Sequence, residues 1–354
     1  MIAKLKILSI FITANILFTE CKQNNSGDEF SFDKIYNYGI QEDVSKIVKA
    51  LNTIPDDSLS VKQKEIKENY IARFQTKTEK FDFKTQDSLI VNVLTIFHDY
   101  WIDVLMKNKS LKKSEEINGP ILSSFIGSYP CEKDGVTNSK DIYLRLSKLL
   151  RYYGYYSQIG RTGNIMDLFI WTNQSNETYP ININDSMVNV HVVFIDSIIT
   201  LGWEEYATFG HLYPRGWTKS GSDSLYCVKK DYDVNSENFK VSFLAHEAQH
   251  LTDAKMYSGF TRWTAEYRAK LSELSMAENG VYNLINFFIQ DSKNDSRLTH
   301  PYAEYRVIID LSKEIFNENF VIDIQKWKGI SYQEINKISK KLLKQNSTGL
   351  KRIQ

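Results

Sequence analysis

Apolar residues recur at helical spacing from about residue 32 to residue 113. Between residues 44 and 51 a single stripe precedes the stop signal Pro55; its members are Val44, Ile47, Val48 and Leu51. The same spacing continues through residues 56–80 and 88–107, where His98 falls on the apolar face and is interpreted as a core residue. Turn-forming residues at 118–120 and 129–140 predict loops and a boundary there.

The pattern changes after residues 142–153, which have the spacing of one more helix. Three β-rich segments follow, separated by Asn, Ser and Pro residues, and they predict strands at 167–172, 179–184 and 187–196. The connection 203–226 is rich in Gly and aromatic residues and is long for a structureless loop, which favours a hairpin or a functional rim. A short strand at 225–228 completes this region. His191 and His211 within it are interpreted as structural, although His211 could instead line the cleft.

A helix is predicted to begin near Asn235 or Ser236, either of which is a good N-cap. At 100° per residue its apolar side chains form two opposite faces. One face holds Val241, Leu244, Ala245, Ala248 and Leu251, and the other holds Phe239, Phe243, His246, His250 and Ala254. A helix that is apolar on two opposite sides is usually buried between two layers.

Helical spacing returns at 263–274, 281–290, 301–317 and 332–344. The predicted fold is therefore α+β and predominantly helical, with a small mixed or antiparallel sheet next to the buried helix and a C-terminal helical lobe. The predicted division is a tether and N-terminal helical region at 21–135, an α+β subdomain at 136–257 and a C-terminal helical subdomain at 258–354.

Composition excludes several classes of protein. The 354 residues are 42% hydrophobic and 25% charged, with a formal net charge of +1, as in an ordinary soluble globular protein. The chain has no basic surface of the kind that nucleic acid requires, so no nucleic-acid partner is expected.

The strongest chemical signal is the pattern HExxH at residues 246–250. Two histidines four residues apart project from the same side of a helix, so His246 and His250 can bind one Zn²⁺ ion. Glu247 lies beside them, where it can accept a proton from metal-bound water. Burying these groups without partners would be costly, and a metal ion supplies the partner.

A third ligand is expected from the next helix, where Glu266 and Glu273 are seven residues apart and share a face. Glu266 is favoured as the ligand with Glu273 supporting it, and the reverse assignment stays open. Two histidines, one glutamate and one open water position form the catalytic arrangement, whereas closed structural sites more often recruit cysteines. Asp253 could instead orient a ligand imidazole through its free N–H.

These residues resemble the zincin metallopeptidases, in the gluzincin branch whose third ligand is a glutamate. The resemblance extends from the strand ending at residues 227–228 to about residue 278 and includes zincin-like proteins exported by bacteria. It implies one zinc ion bound by His246, His250 and Glu266, with Glu247 as general base.

Zinc peptidases usually need a donor that stabilises the oxyanion of the tetrahedral intermediate. The candidates are the aromatic and basic residues Tyr267, His300, Tyr302, Tyr305 and Arg306.

The N-terminus has the pattern of a targeting segment. Lys4 and Lys6 precede an apolar run at residues 7–18, and Cys21 begins a polar tract. This resembles a bacterial lipoprotein signal, which implies a signal peptide at 1–20, lipidation of Cys21, and export to the periplasm, outer membrane or cell surface. In an oxidising compartment Cys131 and Cys227 could pair, or they could stay separate thiols in the core.

The leading hypothesis is thus a zinc metallopeptidase that acts on a peptide or protein substrate and contacts the membrane only through a lipid anchor. One alternative is a non-catalytic, zincin-like binding lipoprotein of the surface or periplasm. Another is a zinc hydrolase of non-peptide amides, which would use the same residues.

Overall fold

The computed structural model describes residues 11–13, 30–129, 141–183, 186–218 and 224–353, and it confirms the α+β fold. The α-helices are α1 (Ile35–Gly39), α2 (Val44–Thr53), α3 (Val61–Tyr70), α4 (Ser88–Leu105), α5 (Leu111–Gly127), α6 (Ile142–Tyr152), α7 (Gly202–Ala207), α8 (His246–Met256), α9 (Arg262–Met276), α10 (Val281–Asp291), α11 (Thr299–Phe316), α12 (Ile324–Lys328) and α13 (Tyr332–Thr348). Two π-helical segments, Ile71–Gln75 and Phe239–Ala245, lead out of α3 and into α8.

The strands are β1 (Phe11–Thr13), β2 (Tyr156–Thr162), β3 (Ile165–Ile183), β4 (Ser186–Leu201), β5 (Gly216–Thr218), β6 (Ser224–Val228), β7 (Tyr257–Ser258) and β8 (Lys351–Arg352). In the main sheet β5, β6, β4, β3 and β2 lie side by side in that order. The pairs β2–β3 and β5–β6 are antiparallel, with Tyr156 opposite Trp171 and Trp217 opposite Tyr226. A second, two-stranded sheet joins β7 to β8.

The chain forms two compact units. Unit 1 comprises residues 1–174 and 195–215, and unit 2 comprises residues 175–194 and 216–354, so β3 and β4 each run from one unit into the other. The predicted boundaries at 135/136 and 257/258 stay predictions. The predicted signal peptide and Cys21 lie outside the described residues, apart from the backbone of β1.

Unit 1 is built on one apolar core. Helix α4 contributes the largest share, with Phe97 and Trp101 fully buried, and α2, α5, α6 and the first half of β3 pack around it. By length and composition α4 is the one helix of the described residues that could cross a membrane, but most of it is buried inside this core.

Unit 2 has two cores. The C-terminal half of β3 and the N-terminal half of β4 pack with β6 against the π segment and α8. On the other side of α8, helices α9, α10, α11 and α13 enclose a helical core around Trp327. Helix α8 is thereby buried between two layers, which confirms that part of the prediction. Gly216 permits close approach on β5, because a Cβ atom there would lie 2.3 Å from the Phe243 ring.

The predicted loop at residues 118–120 is wrong. Pro120 lies inside α5, and Asn118 is buried on that helix. The helix tolerates an interior proline here because two of its apolar residues, Leu122 and Ile126, are buried in the core of unit 1. The separation of the strands at 167–172 and 179–184 is also wrong, since β3 is continuous through the polar residues between them.

The predicted pair of opposite faces on residues 239–254 is wrong as well. Phe239 and Phe243 pack in the same core as Leu244 and Ala248, while Val241 packs with the helical core. The prediction assumed 100° per residue throughout, whereas a π-helix closes its hydrogen bonds over five residues and turns less per residue. The predicted N-cap is confirmed. The helix begins at residue 237, two residues before the π segment, and Ser236 Oγ accepts the N–H of Phe239 at 3.1 Å.

Candidate metal centre

The HExxH residues occupy the first turns of α8, directly after the π segment. His246, Glu247 and His250 are 2%, 0% and 5% exposed. Such π segments occur often at functional sites because they redirect the side chains that follow them. Helix α9, capped by Thr261 Oγ1, packs on α8 and presents Glu266, which is also buried.

Three donor groups converge between α8 and α9. His246 Nε2 lies 3.1 Å from His250 Nε2. Glu266 places Oε2 3.3 Å from the first nitrogen and Oε1 3.3 Å from the second. Among the described residues, no other group of three such side chains has ligand atoms within 4.8 Å of one another.

These separations suit a small tetrahedral ion. Metal–ligand bonds of about 2.0–2.1 Å at tetrahedral angles separate neighbouring donor atoms by about 3.3 Å. In addition, Glu266 Oε2 is buried and makes no hydrogen bond of proper geometry, although two ring nitrogens lie near it. His246, His250 and Glu266 can therefore hold a metal ion.

Glu273 supports the site from behind His246. Its Oε1 lies 2.6 Å from His246 Nδ1, so the imidazole can donate that proton to the carboxylate and keep Nε2 free as a ligand. Burial alone would lower the pKa of His246, but hydrogen bonds and charges from Glu266 and Glu273 outweigh it and raise that pKa to about 10. Of the two predicted arrangements of the glutamates, the geometry brings Glu266 to both Nε2 atoms and Glu273 to Nδ1.

His300, the second residue of α11, reaches the other side of the site. Its Nδ1 lies 3.1 Å from Glu266 Oε2, and its side chain is 38% exposed. Burial raises the pKa of Glu266, but the charges of His300 and His250 and hydrogen bonds from the α8 histidines lower it well below the usual value. Among the residues predicted as oxyanion donors, His300 contacts the metal-binding group.

The described hydrogen bonds of Asp253 are with Gln249 and Arg268, and not with a ligand imidazole as predicted. Its carboxylate accepts hydrogen bonds from Gln249 Nε2 at 2.8 Å and from Arg268 Nε and Nη2 at 2.7 and 2.8 Å. Arg268 is fully buried and also donates to Leu343 O, Asn346 Oδ1 and Ser347 Oγ. This network joins α8, α9 and α13 behind the donors.

A second buried pair lies one turn along α9. Lys270 Nζ is 2.7 Å from Glu304 Oε1 on α11, and both residues are almost fully buried. The nearby carboxylate of Glu304 overcomes the effect of burial and raises the pKa of Lys270. Lysine and glutamate are almost never fully buried unless they are paired, so the two side chains depend on each other.

The remaining predicted candidates have their contacts elsewhere. Tyr267 Oη donates to Asp310 Oδ2 at 2.9 Å, and Arg306 also lies by Asp310. Tyr302 packs edge-on against Trp263, and Tyr305 stacks on Phe320. Cys227 on β6 is a free, buried thiol, whereas Cys131 lies outside the described residues. Burial and the charges of Asp231 and Glu247 raise the pKa of Cys227.

Sequence reasoning missed three residues of this region: Arg268, Lys270 and Glu304. A signal for two of them was present. Lys270 lies four residues after Glu266, on the stripe that also holds Glu273, and Glu304 lies four residues after His300. Arg268 gave no such signal, because its partners on α13 are distant in the sequence.

No family model, no curated protein and no solved structure matches this chain. The interpretation of the site therefore depends on its own geometry and chemistry.

Proposed function

We propose that this chain is a zinc metallohydrolase, and most specifically a metallopeptidase. The observation that carries the proposal is the arrangement of His246, His250 and Glu266. The two Nε2 atoms are 3.1 Å apart, and each lies 3.3 Å from one carboxylate oxygen of Glu266, so the three side chains can bind one zinc ion. Two nitrogens and one carboxylate, without a cysteine, are the donor set of a catalytic rather than a structural zinc site.

When bound, the ion supplies Lewis acidity that activates a water molecule and polarises a carbonyl group. Glu247, next to His246 on the first turn of α8, accepts the proton of the attacking water and passes it to the leaving amine. Its complete burial keeps its carboxylate away from bulk water. Glu273 would hold the His246 ring with Nε2 facing His250 and Glu266, where it could bind the ion.

His300 is the proposed donor to the oxyanion. Its Nδ1 is held against Glu266, and its partly exposed ring leaves Nε2 for the substrate. Tyr267, Tyr302 and Tyr305 have less support for this role, since their described contacts are with Asp310 and aromatic rings.

A second candidate is a non-catalytic binding protein in which the ion only fastens α9 to α8. The burial of the three donors favours it, because an ion enclosed to this degree also suits a structural role. A hydrolase of non-peptide amides would share the first mechanism and differ in substrate. Export as a lipoprotein anchored through Cys21 is part of the same proposal, supported by the N-terminal sequence pattern.

The test uses two purified proteins, the unchanged full chain and its Glu247→Gln variant. Zinc content is measured by mass spectrometry, and hydrolysis is measured with casein and a mixed peptide library. We expect about one zinc per chain in both, and hydrolysis reduced by about 10²- to 10⁴-fold in the variant, the usual contribution of a general base. Glu116→Gln, a matched change at an exposed position on α5, should keep full activity.

Each other outcome has a defined meaning. Full hydrolysis by Glu247→Gln would refute the mechanism. Stoichiometric zinc without cleavage of any peptide, but with cleavage of small amides, would assign the other hydrolase class. Zinc without any hydrolysis, in a chain that binds a partner equally well with and without the ion, would favour the binding protein.

A further inference from the structure

Helix α9 carries three ionisable side chains along one stripe, and only two of them touch histidines of the metal centre. Glu266 and Glu273 contact His246, from the two sides of its ring. Lys270 lies between them at the i+4 position, with its side chain 7% exposed. Removing an ammonium group from water has an unfavourable free energy, so its burial in the middle of this stripe requires compensating contacts.

The surroundings of Lys270 join three helices. Its Nζ is 2.7 Å from Glu304 Oε1 on α11 and 4.7 Å from the centroid of the Phe288 ring on α10. A buried ion pair usually adds little net stability compared with apolar side chains of similar volume, and its best-attested use is to fix the register of the elements that carry it.

The register in question is that of α11 on α9. His300 and Glu304 are four residues apart on α11, and they face Glu266 and Lys270, which are four residues apart on α9. The surrounding contact between the helices is apolar, with Leu271 and Leu274 in the same core as Val307. Apolar packing is non-directional, so the directional contact of the pair decides which residue of α11 stands at Glu266.

We propose that Lys270 is a positioning residue of the metal centre, which acts with Glu304 to hold His300 against Glu266. The inference rests on the proposed zinc hydrolase, because His300 there serves the substrate. Without the pair, α11 keeps its apolar packing but loses the contact that specifies the placement of His300. The ligand Glu266 then loses the ring nitrogen that lies 3.1 Å from its Oε2 atom.

The test uses the full chain with Lys270→Met combined with Glu304→Leu, which removes both charges and retains volume. This double variant should fold, whereas Lys270→Met alone leaves Glu304 buried without a cation, beside the acidic side chain of Asp291. We expect zinc affinity, measured by competition with a chromophoric chelator, to fall about tenfold, as for other residues that support metal ligands. The visible spectrum of the Co²⁺-substituted protein should change, while the urea midpoint in chelator stays at or above that of the wild type.

The matched control is Lys341→Met with Glu314→Leu, an exposed pair between α13 and α11. It changes the same residue types, and its glutamate lies on α11 as Glu304 does. We expect unchanged zinc affinity and an unchanged Co²⁺ spectrum. The single variant Lys270→Arg keeps the charge beside Glu304, so its zinc affinity should lie between that of the double variant and that of the wild type.

A readout that needs no metal separates this inference from the proposed function. In protein labelled at the histidine rings, the His300 signal, assigned with His300→Gln, should shift in the double variant and stay in place in the control. If the wild type binds no zinc, the proposed function fails, and the His300 signal still decides the positioning role. A double variant with wild-type zinc affinity and an unshifted His300 signal overturns the inference.

Discussion

Helix α4 in unit 1 and helix α9 in unit 2 are both mostly buried, but they bury opposite kinds of side chain. The buried residues of α4 are almost all apolar, from Leu89 to Leu105. Helix α9 buries twelve of its 15 residues, and these include Glu266, Arg268, Lys270 and Glu273. Apolar burial stabilises a fold by itself, whereas buried charges are tolerated only where partners are held in place.

One histidine from each unit makes the contrast clear. His98 on α4 lies among aromatic rings, 4.1 Å from the centroid of Tyr206 and 4.4 Å from that of Phe81. Burial and the charge of Arg73 lower the pKa of His98 to about 3, so it is neutral. His246 is as deeply buried, yet its carboxylate neighbours raise its pKa. Burial alone therefore does not mark a candidate functional histidine, whereas burial with converging carboxylates does.

The largest expected effect is from Arg268→Met on α9. It leaves Asp253 buried without its charged partner, which costs about 3–5 kcal/mol in the free energy of unfolding. Urea unfolding measures this, and adding Asp253→Leu should recover most of the loss, because both charges are then gone. Leu94→Ala on α4 should cost about 2–5 kcal/mol as a simple cavity. A double variant as unstable as Arg268→Met alone would show that the loss of stability does not come from an unpaired buried charge.

The next effect concerns the neutral His98. Its pKa of about 3 in the folded chain lies below the ordinary histidine pKa of about 6.5, so the unfolded chain binds the extra proton between those pH values. Stability from this group is complete above pH 6.5 and is lost as pH falls towards 3. Between pH 7 and pH 5 the wild type should lose about 2 kcal/mol more than His98→Phe. Parallel unfolding curves for the two proteins would contradict the neutral assignment.

A smaller effect is expected from Glu273→Gln. The amide oxygen can still accept the proton of His246 Nδ1, but the negative charge behind the ring is lost. Zinc affinity should fall about tenfold, or about 1.4 kcal/mol, as measured by chelator competition. Glu278→Gln, at an exposed position just beyond α9, serves as the control and should bind zinc like the wild type. Equal affinity for all three proteins would remove Glu273 from the site.

The smallest effect is expected at a surface pair. Lys337 and Glu334 lie 3.6 Å apart on α13, and both are exposed. Replacing Lys337 by Gln should change the free energy of unfolding by less than about 0.5 kcal/mol. A cost as large as that of Arg268→Met would show that pairing itself, rather than burial, governs the stability of charges in this protein.

Local patterns predicted most helices and the members of the metal-binding group. The stripe at residues 44–51 and the spacing of His246 and His250 depend on neighbours along the chain, so the sequence contains the information. The choice between Glu266 and Glu273 could not be made from spacing, since residues seven apart share a face. Only the packing of α9 on α8 decides which carboxylate meets the two Nε2 atoms.

Other features depend on contacts that are distant in sequence. Pro120 favours a turn locally, but burial of Leu122 and Ile126 keeps α5 helical around it. The wider turns at Phe239–Ala245 change the direction of every later side chain of the helix, and no residue type in that segment predicts them. The buried partners of Arg268 are contributed by α13, far along the chain.

That last contact has a consequence for biosynthesis. Residues of α13 complete the hydrogen bonding of Arg268, and β8 pairs with the strand that directly follows α8. While a ribosome is still adding these residues, the earlier HExxH segment lacks the framework that braces it. The metal-binding group can therefore reach its final arrangement only after translation has passed α13 and β8.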